Sequence, residues 1–262
     1  MQALLALSSR LDVGQATALS LVVNVLLFGM MIGLGELIAR VWRARPVVSP
    51  PPPVSRVEIV LAIATILVNS AVMVAGWFLY TRGVLRIDGT GSVGRWLVDL
   101  VVLTIAMDLA MYVLHRLAHH PIAFRFVHGI HHRYDQPRPL TLFVLHPLEV
   151  AGFGGLWLVV LCTSTFSLGG MMLYLTVNSV FGTLGHSGVE PVPEAWAKLP
   201  VLGSLGTSTF HARHHQRPDG NFGFYTAIWD RLFRSLDPTY VSTFGRLPEV
   251  SASTNARSSS SV

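Results

Sequence analysis

The sequence has one cysteine and one lysine in 262 residues, and only 13% of its residues are charged. Each scarcity excludes something. A lone thiol, Cys162, permits no disulfide within the chain, no cysteine-ligated zinc site and no iron–sulfur cluster. Charge is about half as frequent as the roughly 25% of ordinary soluble domains. The N-terminus lacks the basic start and small-residue cleavage site of a signal peptide. No basic stripe is interleaved with aromatics, so the formal charge of +5 does not point to nucleic acid. Eighteen arginines against that one lysine suggest a GC-rich, bacterial genome.

What is abundant is apolar sequence. Ala16–Ala39, Ile59–Tyr80 and Trp96–Leu114 are each about the roughly 20 residues needed to cross a bilayer. Leu148–Leu184 is about twice that, with Ser167-Leu168-Gly169-Gly170 in its middle, and reads as two helices joined by a tight turn there. The expectation is an all-α integral membrane bundle of four to five hydrophobic helices, with a cytoplasmic helical cap. The arginines support that orientation. Arg40, Arg43, Arg45 and Arg56 flank the first loop, Arg116, Arg125, Arg133 and Arg138 surround the segment 119–147, and Arg213, Arg217, Arg231 and Arg234 lie near the C-terminus. The positive-inside rule places these regions in the cytoplasm. Residues 1–95 form an N-terminal membrane region, 96–250 the region that carries the histidines, and the serine-rich 251–262 a disordered tail.

One motif is a decoy. Gly89–Gly94, "GTGSVG", fits the G-x-G-x-x-G dinucleotide pattern, but the helix after it is a membrane span and no βαβ unit surrounds it.

The eleven histidines are not scattered. His115 and His119 are four apart, on one helix face. His128, His131 and His132 form H-x-x-H-H, and His211, His214 and His215 repeat it. His186 ends the fifth hydrophobic helix. Imidazole suits zinc, copper, iron and nickel, and repeated helical spacing aims several nitrogens together. These histidines are more than one ion takes, and fit two ions with positions left open. A structural zinc site would be smaller and closed. Trp96–Leu114 spans roughly 28 Å at 1.5 Å per residue, so His115 emerges at the cytoplasmic boundary. The hairpin between His146 and His186 crosses out and back, which brings every histidine group to one layer.

Three further residues bear on the site. Asp108 lies on the His115 face and reads either as a hydrogen-bond partner of a ligand histidine or as a helix-packing carboxylate. Asp99, on the opposite face, reads as structural. Glu149 either anchors the histidine segment or sits at a helix N-terminus.

These motifs together resemble the fatty acid hydroxylase / sterol desaturase superfamily of membrane diiron oxygenases. "DLAMYVLHRLAH" resembles its first box, "HGIHH" its second, "LHPLE" the H-P-x-E of C4-methylsterol oxidases, "GHSGVE" its H-S-G, and "FHARHHQRPDGNFGFYTAIWDRLF" its last box. The resemblance covers about Asp108 to Leu236. It implies two iron ions, with zinc a substitute in expressed protein, bound by His115, His119, His128, His131, His132, His186, His211, His214 and His215. It makes His146 a second choice, with Asp108 and Glu149 as supporting groups, leaves His120 adjacent, and gives Asn221 and Asp230 structural roles. Arg234 departs from the pattern, standing where glycine is common. The resemblance further implies O₂-dependent hydroxylation, desaturation or oxidation of a lipid C–H bond, sterol-like or fatty-acyl. No catalytic residue beyond the metal ligands is demanded. Electrons would come from a ferredoxin or a cytochrome b5-type carrier with its reductase. The expected location is a bacterial inner membrane.

Two other readings compete. A metal transporter or store would put ligands near the membrane midplane. A metal-dependent hydrolase would need a carboxylate base among the ligands, as in H-E-x-x-H, and Arg116 stands after His115 instead.

Overall fold

A computed structural model describes residues 1–247; the tail 251–262 expected to be disordered lies outside them. Four helices among the described residues are long and apolar enough to cross a membrane: α2 (Val13–Val41), α3 (Arg56–Thr81), α4 (Val93–Ala118) and α7 (Leu168–Gly185), the last following the shorter α6 (Pro147–Cys162). A seven-residue helix, α1 (Gln2–Ser8), precedes them and is tied to α3 by Trp77 Nε1 donating to the Ser8 carbonyl at 2.8 Å. The starts of the spans are chemically marked. Asp12 and Gln15 form a reciprocal capping box on α2, and Ser55 and Glu58 do so on α3. Ser92 and Ser167 accept from the first-turn amides of α4 and α7. Such caps satisfy amides that helix geometry leaves without partners.

The bundle packs α2 on α3, α3 on α6 and α4 on α7, with α2 also against α7. Its buried core includes Leu103, Met107, Leu161 and Tyr174. The outer faces are apolar as well: Leu26, Met30, Val60 and Ile105 are each more than 60% exposed. In water this pattern would be a liability, whereas in lipid it is the required one. The chain is an α-helical membrane bundle.

The α6–α7 hairpin departs from the expectation of five span-length helices. α6 has only 16 residues and stops at Cys162. The turn falls at Thr163–Thr165, not at Ser167–Gly170, because Phe166–Ser167 (β2) pairs in parallel with Ile87–Asp88 (β1). Asp99 secures this end. It accepts from the Ser167 amide at 2.7 Å and hydroxyl at 2.6 Å and pairs with Arg95 at 2.9 Å, while Arg95 also donates to the Thr165 carbonyl at 2.7 Å. Gly169 and Gly170 then pass so close that a Cβ at Gly169 would fall inside the Trp96 ring. The segment Gly89–Gly94 is the turn before α4, with Asp88 accepting from the Thr90 amide at 2.7 Å; no dinucleotide-type βαβ unit is built on it.

At the other end of the bundle a cap is built from short elements: α5 (Pro121–Phe126), 3₁₀ turns at His128–Arg133 and Pro139–Phe143, α8 (Ser208–Gln216) and α9 (Ile228–Leu232). Phe210, Ala227, Tyr240 and Phe244 form its separate core.

Candidate metal centre

The nine histidines with repeated spacing converge, but as two groups. His115, His119, His128, His132 and His214 bring their donor atoms within 4.8 Å of one another, and so do His131, His186, His211 and His215. The two groups adjoin: the His132 and His215 rings stack at 4.9 Å.

Neither H-x-x-H-H triple aims at one point. In the second triple, on α8, His211 and His215 serve one cluster while His214 serves the other; in the first, His128 and His132 serve one and His131 the other. Residues four apart share a helix face, and the residue between them is rotated away. The first triple sits on a 3₁₀ turn, not an α-helix. That turn needs Gly129, where a Cβ would meet the Phe124 carbonyl oxygen at 2.6 Å.

Backbone carbonyls orient the rings. His115 Nδ1 donates to Phe222 O at 2.8 Å, His214 Nδ1 to Gly220 O at 2.7 Å and His131 Nδ1 to Val144 O at 3.1 Å. His128 Nδ1 meets Glu149 Oε1 at 2.7 Å. A carbonyl only accepts, so the proton resides on Nδ1 and Nε2 is left bare. Yet His115 Nε2 and His128 Nε2 lie 3.1 Å apart, as do His132 Nε2 and His128 Nε2. Bare lone pairs at that separation repel unless a cation lies between them. Nε2 of His119 and of His214 are buried with no hydrogen-bond partner. In the second cluster Nε2 of His186 and of His215 each lie 3.1 Å from His211 Nε2, with no carbonyl on Nδ1 of His186 or His215 to fix the tautomer. Protonated imidazoles cannot be the cations, since burial pushes His128 and His131 down to about 4 and holds His186, His211, His214 and His215 well below the ordinary histidine value. The donor sets therefore fit metal ions, one per cluster. Five donors in the first cluster exceed the four of a closed tetrahedral zinc site.

The remaining candidates fall elsewhere. Asp108 does not reach a histidine: its carboxylate accepts from the Thr226 amide at 3.1 Å, the Thr226 hydroxyl at 2.6 Å and Trp229 Nε1 at 3.0 Å, fastening the cap onto α4. Its partners thus lie in the cap, neither on a ligand histidine nor on a neighbouring span. Glu149 takes both roles open to it, in the first turn of α6 and on His128. His146 is the N-cap of α6, its Nδ1 accepting from the Leu148 amide at 3.2 Å, and lies in neither cluster. His120 is exposed and outside both.

Sequence reasoning overlooked the carbonyls of Phe222, Gly220 and Val144, which no side-chain pattern reveals. It also gave no role to Glu190, fully buried, which accepts from the Thr209 amide at 2.8 Å and hydroxyl at 2.7 Å and so holds the start of α8. An acid four residues after His186 was the available signal. Asn221, in the left-handed region at φ 57°, donates to Phe210 O and accepts from the Asp237 amide. Asp230 accepts from the Phe222 and Gly223 amides at 2.8 and 2.7 Å. Together they shape the loop that supplies the carbonyls to His214 and His115.

A membrane bundle with two adjoining all-histidine clusters defines a class, and comparison narrows it. Residues 100–235, just over half the chain, match the family model described as fatty acid hydroxylase, and the chain belongs to that family. Similar proteins include lathosterol oxidase of Homo sapiens, 28% identical over 200 residues that cover 73% of this chain and 64% of that protein. Delta(7)-sterol 5(6)-desaturase of Leptosphaeria maculans is 25% identical, over 62% of this chain and 45% of its own length. A very-long-chain aldehyde decarbonylase of Oryza sativa is 32% identical, over 50% of this chain and 22% of its own. The chain spans only about half the length of several of the curated relatives it matches. No solved structure matches.

Proposed function

We propose that the chain is a membrane-bound diiron oxygenase that oxidises a C–H bond of a lipid, by hydroxylation or desaturation. The observation that carries the reading is the pair of adjoining clusters with bare, converging Nε2 atoms at the cap ends of α4 and α7. The family and the names of its relatives, which include sterol desaturases and oxidases, agree with it. His115, His119, His128, His132 and His214 would hold one iron, and His131, His186, His211 and His215 the other. Supplied with O₂ and two electrons, the irons provide the oxidising chemistry.

The chain's own contribution is binding, orientation and dryness. The carbonyls of Phe222, Gly220 and Val144 hold Nδ1 protonated, so each Nε2 is ready to donate. Glu149 meets His128 Nδ1 at 2.7 Å and so fixes the orientation of that ring, while burial pushes its own carboxyl up to about 7. His128, His131, His214 and His215 are nearly fully buried, which keeps water from the oxidising centre. No side chain is needed as acid or base. Electrons come from a ferredoxin or cytochrome b5-type carrier and its reductase, the histidines and C-terminus face the cytoplasm, and residues 96–250 act as the catalytic region in a bacterial inner membrane.

The test is metal content and iron spectroscopy on the detergent-purified chain expressed with iron, followed by turnover with O₂ and a chemical reductant. Two coupled irons per chain and an O₂-dependent lipid product are expected. One metal per chain, or none, overturns the reading. Zinc at two per chain is to be exchanged for iron before turnover is judged, because imidazole accepts either.

A further inference from the structure

Beside the first histidine cluster lies an open cleft of about 770 Å³, with His119 in its lining and Arg116 and Arg234 among its polar groups. We propose that this cleft seats the anionic head of a single-chain membrane lipid, held by Arg116 and Arg234, with the chain lying along the lipid face of α4. Calling that lipid the substrate rests on the oxygenase reading; its binding does not.

Three observations converge. First, the cations are available. Arg116 Nη1 donates to the Tyr112 hydroxyl at 3.0 Å, a neutral acceptor, and that hydroxyl is itself held against Ser235 Oγ at 2.9 Å. Among the described residues neither Arg116 nor Arg234 enters an ion pair. Asp219, exposed, is the one acid in the lining; buried Asp230, bonded to Ser235 at 2.7 Å, feels the charge of Arg116 without forming an ion pair with it. Two guanidinium groups suit a planar oxyanion.

Second, Arg234 is held at φ 58°, in the left-handed region that glycine takes freely and a residue with a Cβ resists. Its guanidinium makes no hydrogen bond within the described residues that would account for keeping a side chain there. The conformation itself belongs to the end of α9, where the Ser235 amide donates to Asp230 O at 2.8 Å and the Arg234 amide to Arg231 O at 3.4 Å, so the pointer to binding is the choice of arginine where glycine costs least.

Third, the cleft continues the bilayer-facing surface. Ile105, Leu109, Val113 and Leu117 recur every four residues on α4, from 40% to 62% exposed, and the last two line the cleft, with Phe233 48% exposed beside them. An acyl chain matches that stripe. An acidic electron-carrier protein, the other anionic candidate, would have to cover bare leucine and phenylalanine there.

The experiment uses the full chain in nanodiscs of neutral phosphatidylcholine and a photoactivatable long-chain fatty acid, with labelled sites mapped by mass spectrometry. Metal-free and iron-loaded protein are both examined, so loss of labelling and loss of iron are separately visible. Labelling is expected within 112–125 and 218–235, displaced by a fatty acid at least about tenfold better than by the alcohol of equal length or by cholesterol, the worth of roughly one charge-assisted hydrogen bond. R116Q and R234G should each reduce it by a similar factor. R234G should also raise the thermal midpoint, so lost labelling cannot be misfolding, and R86Q, at the far end of the bundle, should change nothing. Equal competition by the alcohol or cholesterol overturns the proposal. So does unchanged labelling in R234G, or an arginine effect confined to the binding of an acidic ferredoxin.

Discussion

At the scale of single residues, function divides between rings that converge and groups that orient them. The split of each H-x-x-H-H triple yields a specific expectation. H131A and H214A, acting on different clusters, should each lose one iron per chain, whereas H120A should keep both; metal analysis of the purified variants decides. E149Q should weaken metal retention by about 10–100-fold, the usual effect of removing a ligand's hydrogen-bonded carboxylate, measurable by chelator competition. If E149Q binds as tightly as the native chain, Glu149 merely places an acid in the first turn of α6. The pH response follows from burial. His128 and His131 are pushed down to about 4, so between the ordinary histidine value and that point the unfolded chain takes up protons that the folded chain does not. Each then costs the metal-free protein about 1.4 kcal/mol of stability per pH unit as pH falls. The thermal midpoint of the metal-free protein should drop steadily from pH 6.5 toward 4, and a flat profile would show that these rings protonate without unfolding.

At the scale of elements, the site depends on short segments held by carboxylates. Asp108 fastens Thr226 and Trp229 to α4, Asp230 shapes the loop at Phe222, and Glu190 holds the start of α8. D108N keeps the shape but exchanges one acceptor oxygen for a donor that faces either the Thr226 amide or the Thr226 hydroxyl and Trp229 Nε1, so it should destabilise the chain by about 1–3 kcal/mol. The check is chemical denaturation in detergent, with metal content followed in parallel. The first box has a comparable weak point. Gly129→Ala places a methyl against the Phe124 carbonyl, which should shift the 3₁₀ turn and lower iron in both clusters, because His131 and His132 follow it in the same turn and serve one each. Selective loss from only one cluster would mean that the turn adjusts locally.

At the scale of the whole molecule, the bundle presents its apolar faces to lipid and keeps its two ends distinct. One end is pinned by Asp99, Arg95 and the β1–β2 pair; the other carries the cap. The cytoplasmic placement of the cap, proposed from the arginine distribution, is open to a direct test. With Cys162 changed to Ser, a single cysteine at Thr90 should react with a membrane-impermeant maleimide added to whole cells, and one at Asp219 only after lysis. The reverse pattern would invert the orientation and move the electron donor to the other side.

Length and hydropathy alone established the membrane bundle, since some twenty apolar residues have few other uses. The repeated spacing marked the nine histidines, because helical periodicity is a local property. Which histidine joins which cluster was not legible. His131 and His214 cross over to the partner group, and that depends on how α8 and the 3₁₀ turn approach one another across some eighty residues of chain. The same holds for the carbonyls of Phe222, Gly220 and Val144, since every residue has a carbonyl and only the fold brings three of them onto imidazoles. Asp108 shows the limit plainly. Its place on the His115 face followed from periodicity, but its partners, Thr226 and Trp229, come from a segment that only tertiary packing lays against α4.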